Sequence, residues 1–165
     1  MCLGSTCRSP QIFGILRAEL RRRGIPAEVR SFGIIDELKT PLEKRPAHLK
    51  KAQKHSISIM AERGIDITDH VPAHVSDVGI EDYDLVLCAD PVAYRRLMDD
   101  VRFLGPTLLL APPDGIFNPF DSKRKNLEDQ DLALYRKTAS QIAEVLPPII
   151  DEWVMRIVVS KGLIS

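Results

Sequence analysis

The chain predicts an α/β fold of three layers, with a central parallel sheet and helices on both of its faces. Two uninterrupted apolar runs of strand length, Leu85-Val86-Leu87-Cys88 and Thr107-Leu108-Leu109-Leu110, have the pattern of strands buried on both sides. Around them lie longer stretches with apolar residues at helical spacing, and strands alternating with helices make parallel sheets. The 165 residues, 44% hydrophobic and 28% charged, suffice for one soluble domain with a proper core.

The elements follow in order. Ile12, Leu16 and Leu20, with Phe13 and Ile15 beside them, predict a helix from about residue 10 to 23, ended by Gly24 and Pro26. Ser9-Pro10 at its start has the form of an N-cap followed by a first-turn proline. Residues 28–32 suggest a short strand with Ser31-Phe32-Gly33 at its tip. A second helix is expected over 45–63, stopping at Gly64. The strand at 85–88 meets a loop at Ala89-Asp90-Pro91, and a third helix covers about 92–100. After the strand at 107–110 comes a loop over 111–126 rich in proline and Asp/Asn, long enough to suggest function. A last helix is expected over 127–146, with Pro147-Pro148 stopping or kinking it. Residues 1–150 form the α/β domain in this reading, and 151–165 are a C-terminal extension. Its run Met155-Arg156-Ile157-Val158-Val159 is β-branched and suggests a further strand.

Composition excludes several classes. Lys+Arg and Asp+Glu both number 23, so no global field draws the chain to nucleic acid or an anionic membrane. No apolar run has membrane-spanning length and no signal peptide opens the sequence. Three cysteines do not make a disulfide framework, so a cytoplasmic location is expected.

The chemistry concentrates in the first ten residues. Cys2 and Arg8 frame five residues, and Ser9-Pro10 follows at once. That spacing lets one loop wrap a tetrahedral oxyanion, with backbone N–H groups of Leu3, Gly4, Ser5, Thr6 and Cys7 turned inward and the Arg8 guanidinium forked onto two oxygens. A helix starting there adds its positive dipole end. A cysteine in such a cradle is a nucleophile near neutral pH. Ligands of open parallel sheets sit beyond the carboxyl ends of the strands, where this loop, the Asp90-Pro91 turn and the 111–126 loop would meet.

Cys2-Leu3-Gly4-Ser5-Thr6-Cys7-Arg8-Ser9-Pro10 resembles the signature of the low-molecular-weight protein tyrosine phosphatases, Cys-Leu-Gly-Asn-x-Cys-Arg-Ser-Pro. Ser31-Phe32-Gly33 resembles the family's Ser-Ala-Gly, and Gly64-Ile65-Asp66 with His70 its Gly-Ile-Asp…His stretch. The run from Tyr83 through Asp90 resembles its strand ending in Met-Asp, and Asn118-Pro119-Phe120 stands where the family has Asp-Pro-Tyr or Asp-Pro-Phe. The resemblance spans about residues 1–150 and implies a flavodoxin-like fold. It implies Cys2 as the nucleophile forming a phosphocysteine, Arg8 and the loop N–H groups as phosphate ligands, and Ser9 as a hydrogen-bond donor to the thiolate. Cys7 matches the second loop cysteine, a redox partner for the first in this family, with a packed thiol as the plainer alternative. His70, His74 and Cys88 are expected to be structural. The implied substrate is a phosphorylated protein or small aryl phosphate, with no metal and no cofactor.

Three departures bear on activity. Ser5 replaces the Asn that holds the loop's left-handed turn. Asn118 occupies the general-acid position, and an amide cannot give a proton to a leaving oxygen. Asp114 and Asp121 flank it; Asp121 is the substitute acid to consider, against the plainer reading of both as solvated loop carboxylates. Finally, only Met1 precedes Cys2, where the family has a central strand. The 155–162 run is a candidate to fill that slot, within one chain as a permuted strand or between chains in a swapped homodimer. The alternatives are a late-starting N-terminus with a loose tail, and a tail at the sheet edge. The expected function is a cysteine-dependent phosphatase impaired by Asn118. A phosphate-binding pseudophosphatase comes second. A thiol-coupled arsenate reductase, with Cys88 at a relay position, comes third.

Overall fold

The computed structural model describes residues 1–120 and 131–163. Helix α1 spans Arg8–Arg22, two residues earlier than its apolar stripe suggests, and its N-cap is Cys7. Ser9 is therefore no N-cap. It lies with Pro10 in the first turn, where backbone N–H groups have no intrahelical acceptor and a proline costs nothing. The first half of the expected 45–63 helix holds only a short 3₁₀ turn, Ala47–Leu49, and α2 covers only Lys54–Glu62. Pro46 keeps Arg45 extended at ψ 151°, so no helix begins at residue 45. Gly64, at φ +70°, ends α2 as its position suggests.

Strands β1 (Val86–Cys88) and β2 (Thr107–Leu109) pair in parallel, Val86 opposite Thr107. Between them lie α3 (Pro91–Arg96), N-capped by the Asp90 carboxylate on Ala93 N at 2.7 Å, and a π turn at Leu97–Val101. Successive β1 residues serve opposite cores. Val86 and Cys88 pack with Ala93 and Leu97, whereas Leu87 and the following Ala89 pack with residues of α1, α2 and α4. Both faces of the sheet are thus covered, as the uninterrupted apolar run requires.

The C-terminal half departs most from expectation. Helix α4 runs Leu132–Ile149, and its two prolines do not stop it. The chain continues through a π turn, Ile150–Val154, into α5 at Met155–Ser160. The tail is helical, not a strand, and it does not enter the sheet. Leu146, Ile150, Val154 and Val158 recur every fourth residue against the main core, and burial of that stripe outweighs the β propensity of Ile157-Val158-Val159. Lys161 closes the tail onto Asp84 at 2.7 Å.

The sheet reaches its full width only at its carboxyl edge. Met1 N donates to Leu87 O at 2.6 Å, and Ala89 N donates to Met1 O at 2.7 Å. Cys2 forms a parallel bridge with Gly33, and Gly33 one with His74. On the amino side of Met1 the edges part around a cleft of about 550 Å³, bordered by residues 26–32, the start of β1 and the apolar side of α1. Residues 28–32 consequently lie along this cleft and form no ladder, contrary to expectation; a strand needs a paired neighbour, and among the described residues the bridge to Cys2 begins only at Gly33. Val154, Ile157 and Val158 line the same cleft as a helical wall.

Candidate active site

The loop from Cys2 to Arg8 is buried except for its half-buried Leu3 and Gly4. Ser5 adopts φ +53°, the left-handed conformation the loop demands. Its Oγ lies 3.1 Å from Ser31 Oγ, and its carbonyl 2.8 Å from His70 Nε2. A carbonyl only accepts, so Nε2 carries the proton and His70 is the donor. Burial lowers the His70 pKa, which favours that neutral tautomer. Gly33 is needed here: a Cβ would stand 2.5 Å from Leu3 O and 3.1 Å from Ser5 N. The far side of the loop is held by α2. Gln53 N donates to Thr6 O at 2.9 Å, and Ser56 Oγ donates to Cys7 O at 3.0 Å.

Arg8 is locked at the start of α1. Its guanidinium meets Asp90 at 3.0 Å, with the two side chains only 8% and 10% exposed, and donates to Ile116 O at 3.4 Å. Asp90 thus serves two elements, capping α3 with one oxygen and meeting Arg8 with the other. Ser9 Oγ is buried without a hydrogen-bond partner among the described residues, and it forms no bond to Cys2. Cys7 packs into the main core, 3.8 Å from the Tyr135 hydroxyl, and burial pushes its thiol up to about 11. Tyr135 in turn donates to Gln53 Oε1 at 2.5 Å. Cys88 is fully buried in the second core, its thiol likewise pushed up to about 11 by burial.

The segment carrying Asn118 approaches from the other side. Ile116 N donates to Ala89 O at 2.7 Å, which together with the Arg8 bond ties this segment to both the β1 tip and the loop. Gly115, at φ +82°, is required because a Cβ would lie 2.6 Å from Ala89 O. Asn118 is exposed, and its Oδ1 accepts from Phe120 N at 3.3 Å. Asp114 is exposed on the same segment, and Asp121 lies outside the described residues.

The sequence matches the description Low molecular weight phosphotyrosine protein phosphatase over residues 1–104. The chain belongs to this family. No curated protein matches the sequence. Solved structures resemble the fold over nearly its whole length. A low molecular weight protein tyrosine phosphatase from T. tengcongensis superposes with a TM-score of 0.72 at 23% identity, covering 92% of this chain and 95% of that one. Vibrio vulnificus Wzb, solved with benzylphosphonate, gives 0.70 at 21%, covering 92% and 94%. YwlE, described as an arginine phosphatase, gives 0.71 at 19%, covering 92% and 93%.

Among low molecular weight phosphatases this chain therefore has the flavodoxin-like α/β arrangement the sequence suggested. The structure brings Cys2, Arg8 and the Asn118 segment to one sheet edge. Sequence reasoning missed Gln53, Ser56 and Tyr135, which support the loop from behind, because their roles depend on helices packed far away in sequence. The sequence places Asp90 in the loop after β1, and the N-cap pattern Asp-Pro at 90–91 is its signal for the orientation of that side chain.

Proposed function

We propose that the chain is a cysteine-dependent phosphatase acting on phosphotyrosine or aryl phosphates, with leaving-group protonation impaired at Asn118. The observation that carries this reading is the closed loop Cys2–Arg8 at the start of α1, with Arg8 buried and anchored at its edge. Cys2 sulfur attacks phosphorus, an S–P bond forms, and the P–O bond to the aryl group breaks with its electrons passing to the leaving oxygen. Water then breaks the S–P bond and releases inorganic phosphate. Backbone N–H groups of the loop and the Arg8 guanidinium hold the equatorial oxygens, since phosphoryl transfer relies chiefly on positioning and charge. The partnerless Ser9 hydroxyl suits a donor to sulfur or to phosphate oxygen. Cys7, one position before Arg8, is the candidate to form a disulfide with Cys2 under oxidation. A cytoplasmic enzyme would find its phosphorylated protein substrates there.

Asn118 can hydrogen-bond a departing oxygen and cannot protonate it. A missing general acid costs roughly 10²–10⁴ in rate for a leaving group as basic as tyrosine, whose pKa is about 10. p-Nitrophenyl phosphate should accordingly be cleaved far faster than phenyl phosphate. Cys2→Ser and Arg8→Ala should each abolish turnover of both. Substantial turnover remaining in either variant would remove the assigned site, and equal handling of both substrates by the wild type would place an acid elsewhere, with Asp121→Asn and Asp114→Asn the variants to compare.

A further inference from the structure

The three residues preceding Asn118 form no regular element, yet each of their main-chain groups is bonded. Gly115 N donates to Ala111 O at 2.8 Å, and Gly115 O accepts from Gln141 Nε2 at 3.5 Å. Ile116 N donates to Ala89 O at 2.7 Å, and Ile116 O accepts from Arg8 at 3.4 Å. Phe117 N donates to Gln141 Oε1 at 2.8 Å, and Phe117 O accepts from Thr138 Oγ1 at 3.2 Å. Half of these six bonds come from two side chains one turn apart on α4. A loop satisfied this fully has little conformational freedom left at its end. Thr138 is completely buried, its single proton shared between Phe117 O and Leu134 O at 3.0 Å. The neighbouring Lys137 ammonium sits 4.7 Å over the Phe117 ring and covers the segment's outer side.

We propose that Thr138 and Gln141 are positioning residues for the leaving-group side of the reaction, fixing the segment that presents residue 118. The proposal rests on the reading that residue 118 occupies the acid position. Its chemistry is specific. A side chain that must meet a leaving oxygen has to be held within a fraction of an ångström, and a misplacement of 1 Å costs on the order of 10²-fold. Arg8 is anchored chiefly by Asp90, and neither Thr138 nor Gln141 bonds the Cys2–Arg8 loop, so loosening this clamp should affect basic leaving groups and spare acidic ones.

The test uses the full chain and two substrates. Asn118→Asp should raise phenyl phosphate turnover by a larger factor than p-nitrophenyl phosphate turnover. In that background Thr138→Val or Gln141→Leu should each cut phenyl phosphate kcat by about tenfold or more, with p-nitrophenyl phosphate kcat and inhibition by inorganic phosphate nearly unchanged. Thr138→Ser, which keeps the hydroxyl donor, and Gln141→Glu, which keeps the acceptor for Phe117 N, should restore most of the loss. If Asn118→Asp brings no gain, the acid-position reading fails and the positioning role fails with it. If the gain appears and survives clamp removal intact, only the positioning role is overturned. Equal losses on both substrates, whether from unfolding or a distorted loop, would make Thr138 and Gln141 plain structural residues and would also overturn it.

Discussion

Ser5 stands in a backbone conformation that non-glycine residues seldom adopt, and contacts from Ser31 and His70 keep it there. His70→Ala should therefore cost about 1–3 kcal/mol by leaving a buried carbonyl unpaired, and should raise the KM for p-nitrophenyl phosphate. Because burial holds the His70 pKa below its unfolded value, the unfolded chain takes up a proton before the folded one does. Stability from this residue should thus be complete above about pH 6.5 and decline as pH falls below it. Urea titrations at pH 7.5 and 5.5 should show a shallower acid-side decline in His70→Asn. Asp90 matters in a different way. Asp90→Ala strands the buried Arg8 charge and removes the α3 cap, a loss of about 3–5 kcal/mol. Inorganic phosphate supplies a replacement negative charge, so it should raise the melting temperature of this variant more than that of the wild type; equal shifts would argue against Arg8 as a phosphate ligand.

At the scale of elements, the ends of helices carry the measurable electrostatics. Glu19 accepts from Arg22 and Arg23, which hold its carboxyl down to about 2, and Arg23 also bonds Asp151 in the π turn beyond α4. A depressed carboxylate pKa stabilises the fold above the unfolded value of about 4.3, and the effect is lost as pH falls through about 2. Glu19→Gln should lower stability by no more than about 1 kcal/mol at pH 7, with the difference from wild type shrinking towards pH 2. The α5 tail offers a sharper check on its helical form. Val158 is buried and Val159 exposed, as helical spacing requires, whereas a strand buried on both faces would need both. Val158→Ala should destabilise by about 1–3 kcal/mol and Val159→Ala by at most about 0.5 kcal/mol. Comparable losses at the two positions would contradict the helix.

Across the whole molecule, one long helical arm from Leu132 to Ser160 performs two tasks. Its first half clamps the Asn118 segment through Thr138 and Gln141, and its second half packs Ile150 and Val158 into the same core as α1. Ile150 is fully buried in the main core and belongs to no loop of the candidate site. Ile150→Ala should cost about 2–5 kcal/mol of stability and leave kcat on p-nitrophenyl phosphate close to wild type at a temperature where the variant stays folded. A matching fall in kcat would mean that packing along the arm is coupled to the site.

The start of α1 directly after the Cys2–Arg8 segment, the two strands at 86–88 and 107–109 and the α1 stripe were legible in the sequence because local chemistry determines them: a first-turn proline, uninterrupted apolar runs and a 3.6-residue period. Glycine position foretold the end of α2 at Gly64, but not its late start at Lys54. Tertiary structure decided the rest. The β-branched tail has strand propensity in isolation, and only the presence of a core alongside Leu146, Ile150 and Val158 makes a helix the better use of it. Residues 28–32 have strand composition, but among the described residues none pairs with them along the cleft, and they form no ladder. The bonds from Asp90 to Arg8 and from α4 to Phe117 join residues 82 and 21 or more positions apart, so no local pattern could reveal them. Propensity is a property of a segment, whereas burial and hydrogen-bond satisfaction belong to the folded chain.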